Sequence, residues 1–135
     1  MHSIDHLGIA VKSLAEARKF YERIGLHVTS EEVVPHEKVK VAMLPVGESR
    51  IELLEPTSED STITKFLAKR GEGLHHVSLR VTDLVSTVES LKKDGVRLIS
   101  DEIKMGAGGH LYVFVHPSSA GGVLLELCQE APAAV

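Results

Sequence analysis

One cysteine, Cys128, occurs in 135 residues. That excludes an internal disulfide and suits a reducing compartment, with Cys128 read as a core residue. No apolar run is long enough to cross a bilayer, and the start, Met1-His2-Ser3-Ile4-Asp5-His6, lacks a basic segment followed by an apolar stretch. A cytoplasmic location without membrane attachment is therefore expected. There is no run of one charge either, since 15 basic and 19 acidic residues are spread along the chain for a formal net charge of -4. Nucleic acid and anionic membranes find no electrostatic footprint here, and a small soluble ligand is the expected partner.

What the chain does have is apolar material for one core, at 43% of its residues. Its length is too short for two ordinary domains, so a single domain over residues 1–130 is expected. The sequence also repeats itself. Ile4-Asp5-His6-Leu7-Gly8-Ile9-Ala10-Val11 matches Leu74-His75-His76-Val77-Ser78-Leu79-Arg80-Val81, at an offset of 70 that Gly25 and Gly95 share. Each copy runs into a helical stretch, 14–24 or 84–94, that stops at its glycine. Segments rich in Val, Ile and Leu follow and read as strands, over 26–34, 39–45 and 50–55 in the first copy and 96–100, 110–116 and 123–128 in the second.

Each half therefore predicts strand, helix, strand, strand, strand. The two modules cover 3–55 and 73–129, and a linker over 56–72 holds a short helix at 61–70, with Asp60 or Ser61 as N-cap and Gly71 as stop. Residues 131–135 read as a flexible tail. One sheet with one helix leaves a face uncovered, so two copies packed together are the smallest stable unit.

Strand alternation sorts the repeated residues by face. His6, Gly8 and Ala10 share one face and Leu7, Ile9 and Val11 the other, while His76, Ser78 and Arg80 lie opposite Val77, Leu79 and Val81. The apolar set covers the core beneath the helix. Glu52 and Glu126, 74 residues apart, sit inside otherwise apolar strands. Breaking a buried ion pair costs about 3–5 kcal/mol, so each carboxylate needs a cation nearby. Two neutral imidazoles and two carboxylates suit Zn2+, Mn2+, Co2+ or Ni2+ and leave positions for water or substrate. A packing role for a duplicated histidine does not explain two carboxylates in apolar strands.

The other histidines are weaker candidates. His2, His27 and His36 read as exposed, His75 points away from His76, and His110 and His116 are divided between strand-end structure and substrate contact. Gly106-Ala107-Gly108-Gly109 reads as a turn, because no helix follows it to make a phosphate cradle.

Apart from its tail, the chain resembles the vicinal oxygen chelate superfamily, which includes glyoxalase I, extradiol dioxygenases and antibiotic-sequestering proteins. The resemblance implies an α+β fold of two tandem βαβββ modules forming a cupped mixed sheet around a central metal site. Within the superfamily the likeness is to the methylmalonyl-CoA epimerases. It is carried by Glu52-Leu53-Leu54-Glu55-Pro56-Thr57-Ser58-Glu59-Asp60-Ser61, by Gly71-Glu72-Gly73-Leu74-His75-His76, and by the stretch from His116-Pro117 to Leu127. His6, Glu52, His76 and Glu126 match the family's metal ligands, Glu52 standing where some relatives have glutamine.

The implied reaction interconverts the epimers of methylmalonyl-CoA at C2 through a metal-stabilised enolate, with an acyl-CoA as partner and a homodimer as assembly. Glu126 is the first choice for a catalytic carboxylate. Its counterpart on the opposite face is Glu52, a metal-bound water or Glu37, because the position where some epimerases carry a further glutamate is Val41, beside Lys40. Ser118 replaces a lysine common after His116-Pro117. Two rivals share the fold: a lactoylglutathione lyase of the glyoxalase I type, and a metal-free drug-binding protein.

Overall fold

The computed structural model describes residues 2–130; the tail expected at 131–135 lies outside them. The described residues form two compact units, one of residues 6–75 and one of residues 2–5 together with 76–130.

The first unit contains most of strand β1 (Ser3–Ala10), helix α1 (Leu14–Arg23), strands β2 (Ser30–Val34), β3 (Val39–Val46) and β4 (Ser49–Pro56), and helix α2 (Thr62–Arg70). β2, β3 and β4 run antiparallel in turn, and β1 closes onto β4 in parallel. Ser13 caps α1 by accepting from the Glu16 amide at 3.2 Å. The helix stops where Gly25, at φ 98°, donates to the Glu22 carbonyl and Leu26 donates to Tyr21. That pair of bonds is a Schellman closure, which favours a residue without Cβ at the left-handed position. α2 begins on Ser61, whose hydroxyl accepts from the Ile63 amide, and ends at Gly71.

The second unit contains most of strand β5 (Gly73–Arg80), helix α3 (Leu84–Lys93), and strands β6 (Lys104–Met105), β7 (Leu111–Val115) and β8 (Leu125–Gln129). β5 pairs with β8 in parallel, while β8–β7 and β7–β6 are antiparallel. The helix ends repeat the first unit's: Asp83 accepts from the Ser86 amide, Gly95 donates to Lys92 and Val96 to Leu91.

Two segments differ from their sequence expectation. The strand expected over 26–34 begins only at Ser30, and the one expected over 96–100 reduces to a single bridge from Leu98 to Val115. In both, alternate residues face the core: Leu26 and Val28 pack beneath α1, Val96 and Leu98 beneath α3. The alternation is real, but these residues are still descending from a helix C-terminus and meet no continuous ladder. The edge of β7 is taken instead by the two residues of β6.

Each core lies between helix and sheet. Val11, Leu14, Ala42, Leu44 and Leu53 form the first, with Ile9 and Ile51 against it; Val81, Leu84, Val88, Val113, Val115 and Leu127 form the second. Ile9 of β1, and Val11 just beyond it, thus pack beneath α1, as expected. A Leu53→Ala change removes a fully buried side chain, a class of substitution that costs about 2–5 kcal/mol.

Candidate functional site

In the first unit the parallel register of β1 and β4 sets Gly8 against Glu52 and His6 against Arg50. Gly8 brings no side chain to the face, which leaves room for its longer neighbours. His6 and Glu52 are 1% and 4% exposed, with His6 Nδ1 3.3 Å from Glu52 Oε2. The same oxygen accepts from Arg50 Nε at 2.9 Å. Across the antiparallel register, Met43 stands beside Glu52 and Val41 beside Leu54. The wall next to the carboxylate on that side is therefore apolar.

The second unit repeats the arrangement. Ser78 is the register partner of Glu126, again a small residue beside the carboxylate. His76 Nε2 lies 3.4 Å from Glu126 Oε2, and both residues are buried. Phe114, across from Glu126 on β7, meets the His76 ring edge-to-face at 5.2 Å. His110 approaches the other carboxylate oxygen, with Nε2 3.8 Å from Oε1.

The second unit holds further polar contacts. Buried Asp5 accepts from Arg80 Nη2 at 2.8 Å and Nε at 3.0 Å, and Arg80 also reaches Glu130. The Asp5 hydrogen bond holds the Arg80 guanidinium above its ordinary range. Cys128 is buried, in contact with the Ser78 hydroxyl at 3.3 Å, and burial pushes its thiol up to about 12.

The remaining histidines sort cleanly. His2, His27 and His36 are exposed. His75 packs edge-on to Phe66 of α2 at 5.0 Å, and His116 Nδ1 accepts from the Ser118 amide at the 3-10 turn 117–119. Residues 107–109 form a 3-10 turn leading into β7. Glu37 lies half-buried in the turn between β2 and β3, where its carbonyl accepts from the Ser61 hydroxyl.

Chemically, each unit offers one imidazole nitrogen and one carboxylate oxygen, buried and side by side. Those are the donors a borderline divalent ion takes, so the residues present fit a transition metal. Sequence reasoning missed Arg50 as a partner of Glu52, although a position two residues along one strand shares its face.

A model of the glyoxalase/bleomycin resistance protein/dioxygenase superfamily matches residues 5–114. The chain belongs to that superfamily. It is 40% identical over 128 residues to the mitochondrial methylmalonyl-CoA epimerase of Mus musculus, covering 93% of this chain and 72% of the mouse protein. A hypothetical protein from Bacillus halodurans C-125 has a crystal structure that superposes with a TM-score of 0.93 at 44% identity, covering 99% of this chain and 98% of that one. A Streptomyces coelicolor methylmalonyl-CoA epimerase variant, solved with 2-nitronate-propionyl-CoA, also reaches 0.93 at 38% identity, covering 98% and 97%. The fold is therefore the vicinal oxygen chelate fold, α+β with two βαβββ modules.

Proposed function

We propose that this protein is a metal-dependent epimerase that interconverts (2R)- and (2S)-methylmalonyl-CoA, with His6, Glu52, His76 and Glu126 together holding one divalent ion. The observation that carries the reading is the duplicated buried His–Glu couple in a chain 40% identical to a methylmalonyl-CoA epimerase over 93% of its length. Co2+, Mn2+, Zn2+ and Ni2+ all suit such a donor set. An ion so held supplies positive charge that lowers the cost of negative charge developing on the substrate as C2 loses its proton.

The chain's own residues move the proton. Glu126 takes it from one face of C2, and inversion requires a second group to return one from the opposite face. With Val41 and Leu54 forming the apolar wall beside Glu52, Glu52 itself is the residue of the first unit assigned to that return. Arg50 orients Glu52 through its 2.9 Å bond. A homodimer belongs to the same reading, and sedimentation velocity measures it.

Deuterium entry from solvent into C2 of methylmalonyl-CoA, followed by mass spectrometry, tests the reaction. The hemithioacetal of methylglyoxal and glutathione is run in parallel, because two histidines and two glutamates also serve lactoylglutathione lyase chemistry. Exchange on methylmalonyl-CoA is expected; activity on the hemithioacetal alone overturns the assignment. A chain that retains no divalent ion after dialysis refutes both enzyme readings and favours a drug-binding protein.

A further inference from the structure

One imidazole near Glu126 has no part in the reaction as assigned. His110 is 8% exposed, and its Nε2 lies 3.8 Å from Glu126 Oε1 while His76 Nε2 lies 3.4 Å from Oε2. The carboxylate is thus flanked by a nitrogen on each oxygen. At 3.8 Å the His110 nitrogen stands within ion-pair distance of the carboxylate, longer than a hydrogen bond.

The preceding loop delivers the ring to that place. The Gly106 amide donates to the His110 carbonyl at 2.8 Å, and the Gly109 amide closes back on the Gly106 carbonyl at 3.0 Å. Gly109 does so at φ 78°. A Cβ on Gly106 would sit 3.1 Å from the Tyr112 ring and 3.5 Å from His110 Nε2. The bare Gly106 therefore leaves the space in which the two rings stand, and Tyr112 leans on His110 with centroids 6.2 Å apart. The glycine-rich turn thus serves as the mount for His110.

We propose that His110 is a positioning residue for Glu126: its ring N–H holds Oε1 and fixes one orientation of the carboxylate. This rests on the metal-dependent reading of the site. A glutamate side chain turns about three bonds, and without a partner on Oε1 it samples orientations in which neither its donor oxygen nor its proton-accepting oxygen is aimed. Loss of such outer partners typically costs about 10–100-fold in metal affinity or activity.

The test compares the wild type with His110→Ala and His110→Gln, the glutamine offering an amide N–H at similar reach. Cobalt affinity is read by titrating Co2+ into metal-stripped protein, and kcat and KM are read from deuterium exchange at C2. His110→Ala is expected to weaken cobalt binding and lower kcat, each by about 10–100-fold, with KM changed less than about threefold. His110→Gln is expected to recover most of both losses. Unchanged affinity and kcat in the alanine variant, or a glutamine variant as impaired as the alanine one, overturns the proposal. Should His110→Ala fail to fold, His110→Asn, with its shorter amide, takes its place and is expected to lie between Gln and Ala. A wild type that binds cobalt without exchanging C2 of any acyl-CoA refutes the substrate assignment alone, and the affinity ratios still decide on His110. A wild type that binds no cobalt overturns both.

Discussion

Glu126 carries the sharpest consequence at the scale of single residues. On the proposed assignment glutamine in its place keeps the shape and removes the charge that would take the proton, so Glu126→Gln is expected to abolish C2 exchange while leaving the circular dichroism spectrum unchanged. Val41→Ala touches the apolar wall of the first unit and no proton, and exchange is expected to stay within about threefold of wild type. Normal exchange in Glu126→Gln would remove Glu126 as base. Cys128, two positions along the same strand, has a different fate. Burial pushes its thiol up to about 12, which leaves about one part in ten thousand as thiolate at pH 8. Its reaction with a maleimide is therefore expected to follow unfolding, rising with urea along the denaturation curve; rapid labelling of the native protein would contradict the buried setting.

The elements show how the duplication supports its own helices. Besides Ser13 and Asp83, each helix N-terminus receives a side chain from the last strand of its unit: Glu55 Oε1 accepts from the Leu14 amide at 2.9 Å, and Gln129 Oε1 from the Leu84 amide at 2.8 Å. Removing a cap of this kind costs about 1 kcal/mol, and a carboxylate adds attraction to the helix dipole. Glu55→Ala is expected to lower urea stability by about 1–2 kcal/mol and Gln129→Ala by about 1, with Glu55→Gln losing less than Glu55→Ala. Asp60, just before α2, is bound by Lys38 from the β2–β3 turn and by Ser58. Those partners hold its carboxyl down at about 2. Because the folded value is depressed, the contribution is complete above the unfolded value near about 4 and disappears as pH falls through about 2. Carbon-detected NMR is expected to find the Asp60 midpoint near 2, returning toward the ordinary range in Lys38→Met.

Legibility followed the same physics. α1, α2 and α3 were readable because capping residues and terminal glycines bracket them, and the buried pairing of His6 with Glu52 and of His76 with Glu126 because the repeat picked them out of apolar strands. The stretches 26–29 and 96–100 were misread, since alternating burial reports a facing core and not a partner strand. β6 has two residues and leaves no periodic trace. His110 drew attention as a residue, but its ring's place depends on the conformation of 106–109, which side-chain patterning does not encode. Arg50 sits near the start of β4, where an arginine reads as solvated.

For the whole molecule, the proposed centre makes a prediction about number. If each His–Glu couple bound metal by itself, a chain would take up two ions, weakly, through two protein donors each. Substituting His6 would then remove one ion and leave the other at its original affinity. A single centre of four donors behaves differently: one ion per chain, and loss of tight binding on substitution of either His6 or His76. The double variant would then lose little beyond either single one, because residues sharing one ion are coupled and their effects do not add. Stability follows binding, since an ion held only by the folded chain contributes about 2.7 kcal/mol at a hundred times its dissociation constant. Cobalt is therefore expected to raise the melting temperature of the wild type and of neither histidine variant. Isothermal titration gives the stoichiometry directly, and a ratio of two, or a His6→Ala chain that keeps one tightly bound ion, would separate the two couples and end the case for a common centre.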